Sequence, residues 1–397
     1  MKRFLKINSF YNMLYFATFI VTILSLSRFY TNVEIYCKVM RYVNYIALFL
    51  TVPMFLICLD RYRGLNMVMV LVYSLIVLIV GINIGSLEMM WLSYVLIVGA
   101  QGIPFRVILK IHFYLILSFC VMNVIGYEMG LASSHLVNVN NRINIFDINV
   151  NRLDFGYGWA TDFANHVFFI LLDYMLLRNG KLHFYEYMFY AIISFVCIMY
   201  CDARLSAISI LLLILASIFT QKYIKNGWKL GNAVSSFLIL TPLIIVAISI
   251  SSSIIYDASS VNWFAANLIL SSRLSLSHNF IIENGFSLFG KTVQLFGQRD
   301  LYKIGSEYNY VDSSFVQYSV RYGIVLFSLL IFSFMYIMGK ACKRNDIVMV
   351  LTLILAVLSG AICQFLFNLV YCVFPVAIFS SMGKRICISN NSFKIIN

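Results

Sequence analysis

Twelve apolar runs, each near the length that crosses a lipid bilayer, constrain this chain more than any other feature. They fall at 10–27, 42–59, 66–84, 87–103, 108–127, 160–177, 184–200, 205–220, 233–255, 314–338, 345–359 and 362–382. An α-helix of about 20 residues crosses the roughly 30 Å hydrocarbon core of a membrane. The runs lack the period-2 alternation of an outer-membrane barrel, and only 4 prolines interrupt 397 residues. Composition agrees, with 61% hydrophobic and 11% charged residues, where a soluble domain has about 45–50% and about 25%. The predicted fold class is an all-α polytopic membrane protein of about 12 transmembrane helices, a single integral membrane domain over 1–397. The stretch "DIVMVLTLILAVLSGAICQFLFNLVYCVFPVAIFSS" allows two short helices broken near Gly360, or one long helix plus a re-entrant segment. The start, "MKRFLKINSFYNMLYFATFIVTILSLSRFY", has no small-x-small cleavage site and an apolar part long enough to span. It reads as the first transmembrane helix and not as a signal peptide.

Lys and Arg collect in the cytoplasmic loops of membrane proteins. With both termini placed inside, 18 of the 29 Lys and Arg lie inside and 12 of the 16 carboxylates lie outside. The net charge of +13 is then an orientation signal and calls for no nucleic-acid partner. Two connections on the outer face are long, 128–159 and 256–312. Long loops in compact folds are often functional, so the chemistry is expected on that face. "NVNNRINIFDINVNR" alternates Val, Ile and Phe with polar residues and reads as an amphipathic strand or lid. Nine cysteines without a CxxC pair or ligand-spaced histidines read as small apolar packers, with no disulfide framework and no zinc site.

No Walker A loop, dinucleotide turn or HExxH is present. The outer face carries Arg142, Arg152, Arg204, Arg273, Arg299 and Arg321. Each alone reads as an interfacial anchor or as half of an ion pair, Arg204 with Asp202 and Arg152 with Asp154. Arg321 sits about two turns into a predicted span, where an arginine costs roughly 2.5–3.5 kcal/mol and usually faces a wet cavity or a partner. Guanidinium groups fork onto phosphate oxygens, so several on one face suit a diphosphate head group. Asp312, in "YVDSSFVQYSVRYG", reads either as a helix N-cap or as a base for a hydroxyl nucleophile. His278 and His166 are lone histidines. Asp162 and His166 share a helical face with Asp173 in line, which suits a proton relay in a transporter or a polar stripe facing a substrate cavity.

Four places in the chain carry a family resemblance: "NRLDFGYGWATDFANHVF", "CDARLSAISILLL", "LSSRLSLSHNFIIENGFSLFG" and "YVDSSFVQYSVRYGIVLF". In order and layout they resemble a Wzy-type O-antigen or capsular polysaccharide polymerase of the bacterial envelope, related to the O-antigen ligases. The family's His-Pro-Asn element is not intact in "FANHVF", Ser272 stands where Gly is usual, and Ser313 replaces Asn. The resemblance implies a multi-pass glycosyltransferase of the bacterial cytoplasmic (inner) membrane that uses no nucleotide, metal or other cofactor. A growing glycan leaves undecaprenyl diphosphate and joins a hydroxyl of another lipid-linked oligosaccharide. Arg152, Arg204, Arg273 and Arg321 become the diphosphate-binding candidates, and Asp312 and His278 the catalytic ones. Membrane lipid, a chain-length regulator and a flippase are the implied partners. Tyr and Trp in "GYGWA", "VNWFAAN" and "EYNYVD" suit stacking on sugar faces or an interfacial aromatic belt. An O-antigen ligase, a lipid-linked oligosaccharide flippase and a non-enzymatic envelope scaffold are the competing readings.

Overall fold

A computed structural model describes all residues except 1, 28, 133–141, 144–148, 151, 297–308, 383–385, 390–391 and 396–397. Side chains are described for 9–27, 29–132, 152–296 and 309–382. The chain is a helical bundle. The first nine apolar runs become α1 (Lys2–Leu26), α2 (Glu34–Leu59), α3 (Leu65–Ile84), α4 (Leu87–Val98), α5 (Phe105–Glu128), α6 (Ala160–Leu177), α7 (Phe184–Cys201), α8 (Arg204–Lys225) and α9 (Asn232–Ile255). The connection after α9 holds α10 (Val261–Ile269) and α11 (Arg273–Asn284). After it come α12 (Ser314–Gln317), a π-helical turn Tyr318–Tyr322, α13 (Ile324–Lys343) and α14 (Ile347–Gly360). Local chemistry marks several ends. α3 stops at Gly85 in the left-handed region, with its N–H on Gly81 O and Ile82 O. α7 starts with a capping box in which Glu186 Oε2 accepts from His183 N at 2.6 Å. Asp346 caps α14 by accepting from Met349 N at 3.3 Å.

Among the described residues nine helices are long and apolar enough to cross a membrane: α1–α3, α5–α9 and α13. α4 and α14 are shorter apolar helices. α9 presents most of its surface outward, with only 11% of its apolar window buried, whereas 78% of α6 is buried. A helix apolar nearly all round and enclosed on most sides is an inner helix; α6 packs against α5, α7, α8 and α14. Its position matters because it carries Asp162, His166 and Asp173.

Of the twelve expected helices, the fourth and eleventh runs form only the short α4 and α14, and two more runs depart from a single helix. The tenth run is not one helix, because it breaks at Gly323 between the π-turn and α13. The twelfth run, 362–382, is not a helix at all. It holds only turns and a 3-10 segment, Phe374–Ile378. Apolar composition reports burial at membrane depth, and this segment is buried in protein, the condition under which irregular backbone survives there. Side chains from the surrounding helices take up its backbone groups. Ser314 Oγ donates to Cys363 O at 2.6 Å and accepts from Leu366 N at 3.2 Å. Arg273 Nε donates to Ile362 O at 2.8 Å, His112 Nε2 to Leu369 O at 2.9 Å, and Lys340 Nζ to Ile378 O at 2.6 Å. Arg344 Nη1 reaches Met382 O. Phe105 N donates to Ser381 O at 2.9 Å, and Ser381 N to Ile103 O at 2.8 Å. The segment therefore starts beside Arg273 and Ser314 and finishes at the opposite end of the bundle, where α5 begins. It passes between the two ends without being helical.

Of the Asn-rich stretch read as a strand or lid, Arg142–Ile143 pairs antiparallel with Asn149–Val150. Most of its other residues lie outside the described ones. A second hairpin joins Ile386–Ser389 to Ser392–Ile395. The eight cysteines whose side chains are described are free, and all but Cys37 are buried.

Candidate functional site

A cavity of about 560 Å³ opens where the two long connections meet the bundle. Tyr157 and Trp159 reach it from the first connection, Leu295 and Tyr310 from the second, and Gln364, Asn368 and Tyr371 from the irregular crossing. α6 adds Asp162 and His166, and the π-turn adds Tyr318, Arg321 and Tyr322. Both long connections thus lie at one end of the molecule.

The π-turn is what brings Arg321 into the cavity. Residues 287–291 take up the backbone groups that the break exposes: Ile324 N donates to Ser287 O at 2.8 Å, Val325 N to Leu288 O at 3.2 Å, and Lys291 N to Arg321 O at 3.0 Å. Gly323 sits at φ +90, and a Cβ there would stand 2.4 Å from Gly290 N and 2.5 Å from Leu288 O. Only glycine permits this approach. π-bulges recur at functional sites because they redirect one side chain out of helical register.

Arg321 forms no ion pair among the described residues, and its buried Nε has no hydrogen-bond partner there. Its guanidinium carbon lies 5.6 Å from the centroid of the Tyr322 ring. That ring stacks on Tyr318 at 4.2 Å. His166 is 1% exposed. Its Nε2 is 3.3 Å from Ile116 O, and its Nδ1 has no partner among the described residues. Tyr157 and Tyr371 flank the imidazole at 5.1 and 4.9 Å, and Tyr371 stacks on Phe365 at 3.9 Å. Burial pushes the Tyr157 phenol well above its usual pKa, so it stays protonated. The cavity combines flat rings, amide and hydroxyl groups, the His166 imidazole, the Asp162 carboxylate and, among the described residues, one guanidinium, that of Arg321.

The other predicted site residues do not line this cavity. Arg152 Nε donates to Cys201 O at 2.8 Å, and Arg204 Nε pairs with Asp202 Oδ1 at 3.1 Å, the partner expected for it. These two arginines meet at the tight turn between α7 and α8, where Asp202 is left-handed at φ +45. Arg273 Nη2 pairs with Asp312 Oδ2 at 3.4 Å. Asp312 is not the helix cap: Ser313 holds that position, with no side-chain capping bond. The contact with Arg273, on a helix in the preceding connection, holds the carboxylate instead. His278 Nδ1 lies 3.0 Å from Ser253 O, with its ring against Tyr256. Arg142 is described only in its backbone, and Arg299 lies outside the described residues.

One pair escaped the local reading. Asp173 turns away from the Asp162 and His166 stripe to meet His112 on α5, with Asp173 Oδ2 2.6 Å from His112 Nδ1 and the side chains 1% and 0% exposed. The partners are 61 residues apart, so periodicity along one helix does not reveal them. The signal available was His112 itself, an ionisable residue inside a predicted span. A carbonyl only accepts, so Nε2 carries the proton given to Leu369 O, and Nδ1 and the carboxyl share another.

No protein-family model, no curated protein and no solved structure matches this chain.

Proposed function

We propose that the chain is a polysaccharide repeat-unit polymerase, a glycosyltransferase that moves a growing glycan from undecaprenyl diphosphate to a hydroxyl of another lipid-linked oligosaccharide. The observation that carries this reading is Arg321: a cation set by a π-turn into an aromatic cavity, its Nε without a hydrogen-bond partner among the described residues. Buried polar groups left unpaired ask for an occupant. A guanidinium in a low-dielectric pocket holds phosphate oxygens by charge-assisted hydrogen bonds. Tyr and Trp rings around it offer flat faces to sugars. In this reading the cavity faces outward, as the Lys and Arg distribution suggests. Arg321 steadies the departing diphosphate, and the two long connections keep water from the donor. Arg273 with Asp312 braces the start of the irregular crossing, and Arg152 with Arg204 braces the α7–α8 corner. No step here calls on a nucleotide.

The test is the glycan ladder of a strain lacking the protein. Single repeat units on the surface lipid support the polymerase reading. Full-length polymer left on its carrier points to a ligase. Repeat units trapped inside point to a flippase, the second reading, which the buried His112–Asp173 pair favours because ionisable pairs inside membranes often mark transport pathways.

A further inference from the structure

Within the polymerase reading, on which this rests, we infer that His166 receives the attacking hydroxyl of the incoming repeat unit. The tautomer carries the case. Ile116 O lies 3.3 Å from Nε2 and can only accept, so in the neutral ring Nε2 bears the hydrogen. Nδ1 is then a bare lone pair. It is buried, belongs to a residue that lines the cavity, and has no partner among the described residues. A buried acceptor left unpaired costs about 1–3 kcal/mol.

The surroundings say what fills it. Tyr157 and Tyr371 present rings at 5.1 and 4.9 Å. Asp162, one turn earlier on α6, lines the same cavity. No group of three His, Cys, Asp or Glu converges as metal ligands among the described residues. A bare lone pair in a cavity that also holds a carboxylate repels phosphate and attracts an O–H. The cavity is therefore polarised, with a cationic donor at Arg321 for the anionic part of its occupant and an acceptor at His166 for a neutral hydroxyl. Rings beside the acceptor pack against the apolar face of the sugar that carries that hydroxyl. His166 orients the nucleophile, while Arg321 holds the carrier.

The two roles separate experimentally. Membranes of a strain lacking the chain receive full-length wild type, His166→Phe, His166→Gln or Arg321→Ala. They are then supplied with undecaprenyl-diphosphate-linked repeat units extracted from that strain. The expected result is that His166→Phe slows elongation at least about tenfold while the purified variant binds as much of the extracted carrier as wild type. His166→Gln, which keeps an acceptor oxygen, recovers part of the rate, and Arg321→Ala loses carrier binding. Elongation by His166→Phe at the wild-type rate, or loss of carrier binding equal to that of Arg321→Ala, overturns the assignment. If wild type itself elongates nothing, the polymerase reading falls instead. Should His166→Phe not reach the membrane, ¹⁵N spectra of histidine-labelled wild type read the same contact: added repeat units shift the bare Nδ1 signal, and an unmoved signal overturns the assignment.

Discussion

Two stretches of irregular backbone lie deep in this bundle, the crossing at 361–382 and the turn at 318–323, and they are held differently. Around the crossing, charged and polar side chains are spent on backbone: Arg273 on Ile362 O, Ser314 on Cys363 O, His112 on Leu369 O and Lys340 on Ile378 O. At the turn, backbone is taken up mostly by backbone from 287–291, with the neutral Ser287 hydroxyl on Val320 O, and the charged side chain is not spent this way: Arg321 Nε has no hydrogen-bond partner among the described residues. A cation at membrane depth is costly in either place. In the first it stabilises the fold; in the second it is available to something outside the chain. Counting arginines on one face does not separate the two uses.

Substitutions can break or sharpen this contrast. The largest effect is expected at the crossing. His112→Ala leaves Asp173 unpaired and Leu369 O unfilled, and should cost about 3–5 kcal/mol, read as a lowered unfolding midpoint in detergent. The double variant His112→Leu/Asp173→Leu should be less damaging than His112→Ala, because no uncompensated charge remains. If the double variant is worse, the pair does more than pin backbone. Next comes Arg321→Ala, expected to slow elongation by roughly 10²-fold with little change in unfolding midpoint. A large fall in stability would make Arg321 another brace. Gly323→Ala should cost about 1–3 kcal/mol by forcing apart the 287–291 segment and the π-turn, and should lower activity along with stability. Smallest is Arg204→Ala: the arginine side chain is 37% exposed but its partner Asp202 only 2%, so losing the pair should cost about 1–2 kcal/mol, less than at the fully buried His112–Asp173 pair. Elongation should fall far less than for Arg321→Ala; an equal fall would move the diphosphate grip to the α7–α8 corner.

The long helices were legible because lipid demands about 20 apolar residues in a row, and α3 or α9 needs no tertiary knowledge to be recognised. The crossing was not, because "CQFLFNLVYCVFP" is as apolar as a span. Its departure from helix depends on partners such as His112 and Arg273, which lie far away in the chain. Arg321 was legible from its cost within a span, and the structure supplies the reason it is tolerated, a π-turn and a cavity. Asp312 carried the local signature of a cap, yet Arg273, reached only through the fold, determines where its carboxylate goes. His166 looked like part of a stripe with Asp173. The contact of Asp173 with His112 separates them and leaves His166 facing the cavity without it.

The central claim is that the guanidinium of Arg321, which forms no ion pair among the described residues, grips the phosphorylated carrier. Native mass spectrometry of the full-length protein in detergent, with extracted undecaprenyl-diphosphate-linked repeat units added, tests it most directly. Wild type should retain one carrier per cavity, and Arg321→Ala should lose it while Arg204→Ala keeps it. Retention by Arg321→Ala at the wild-type level would contradict the account.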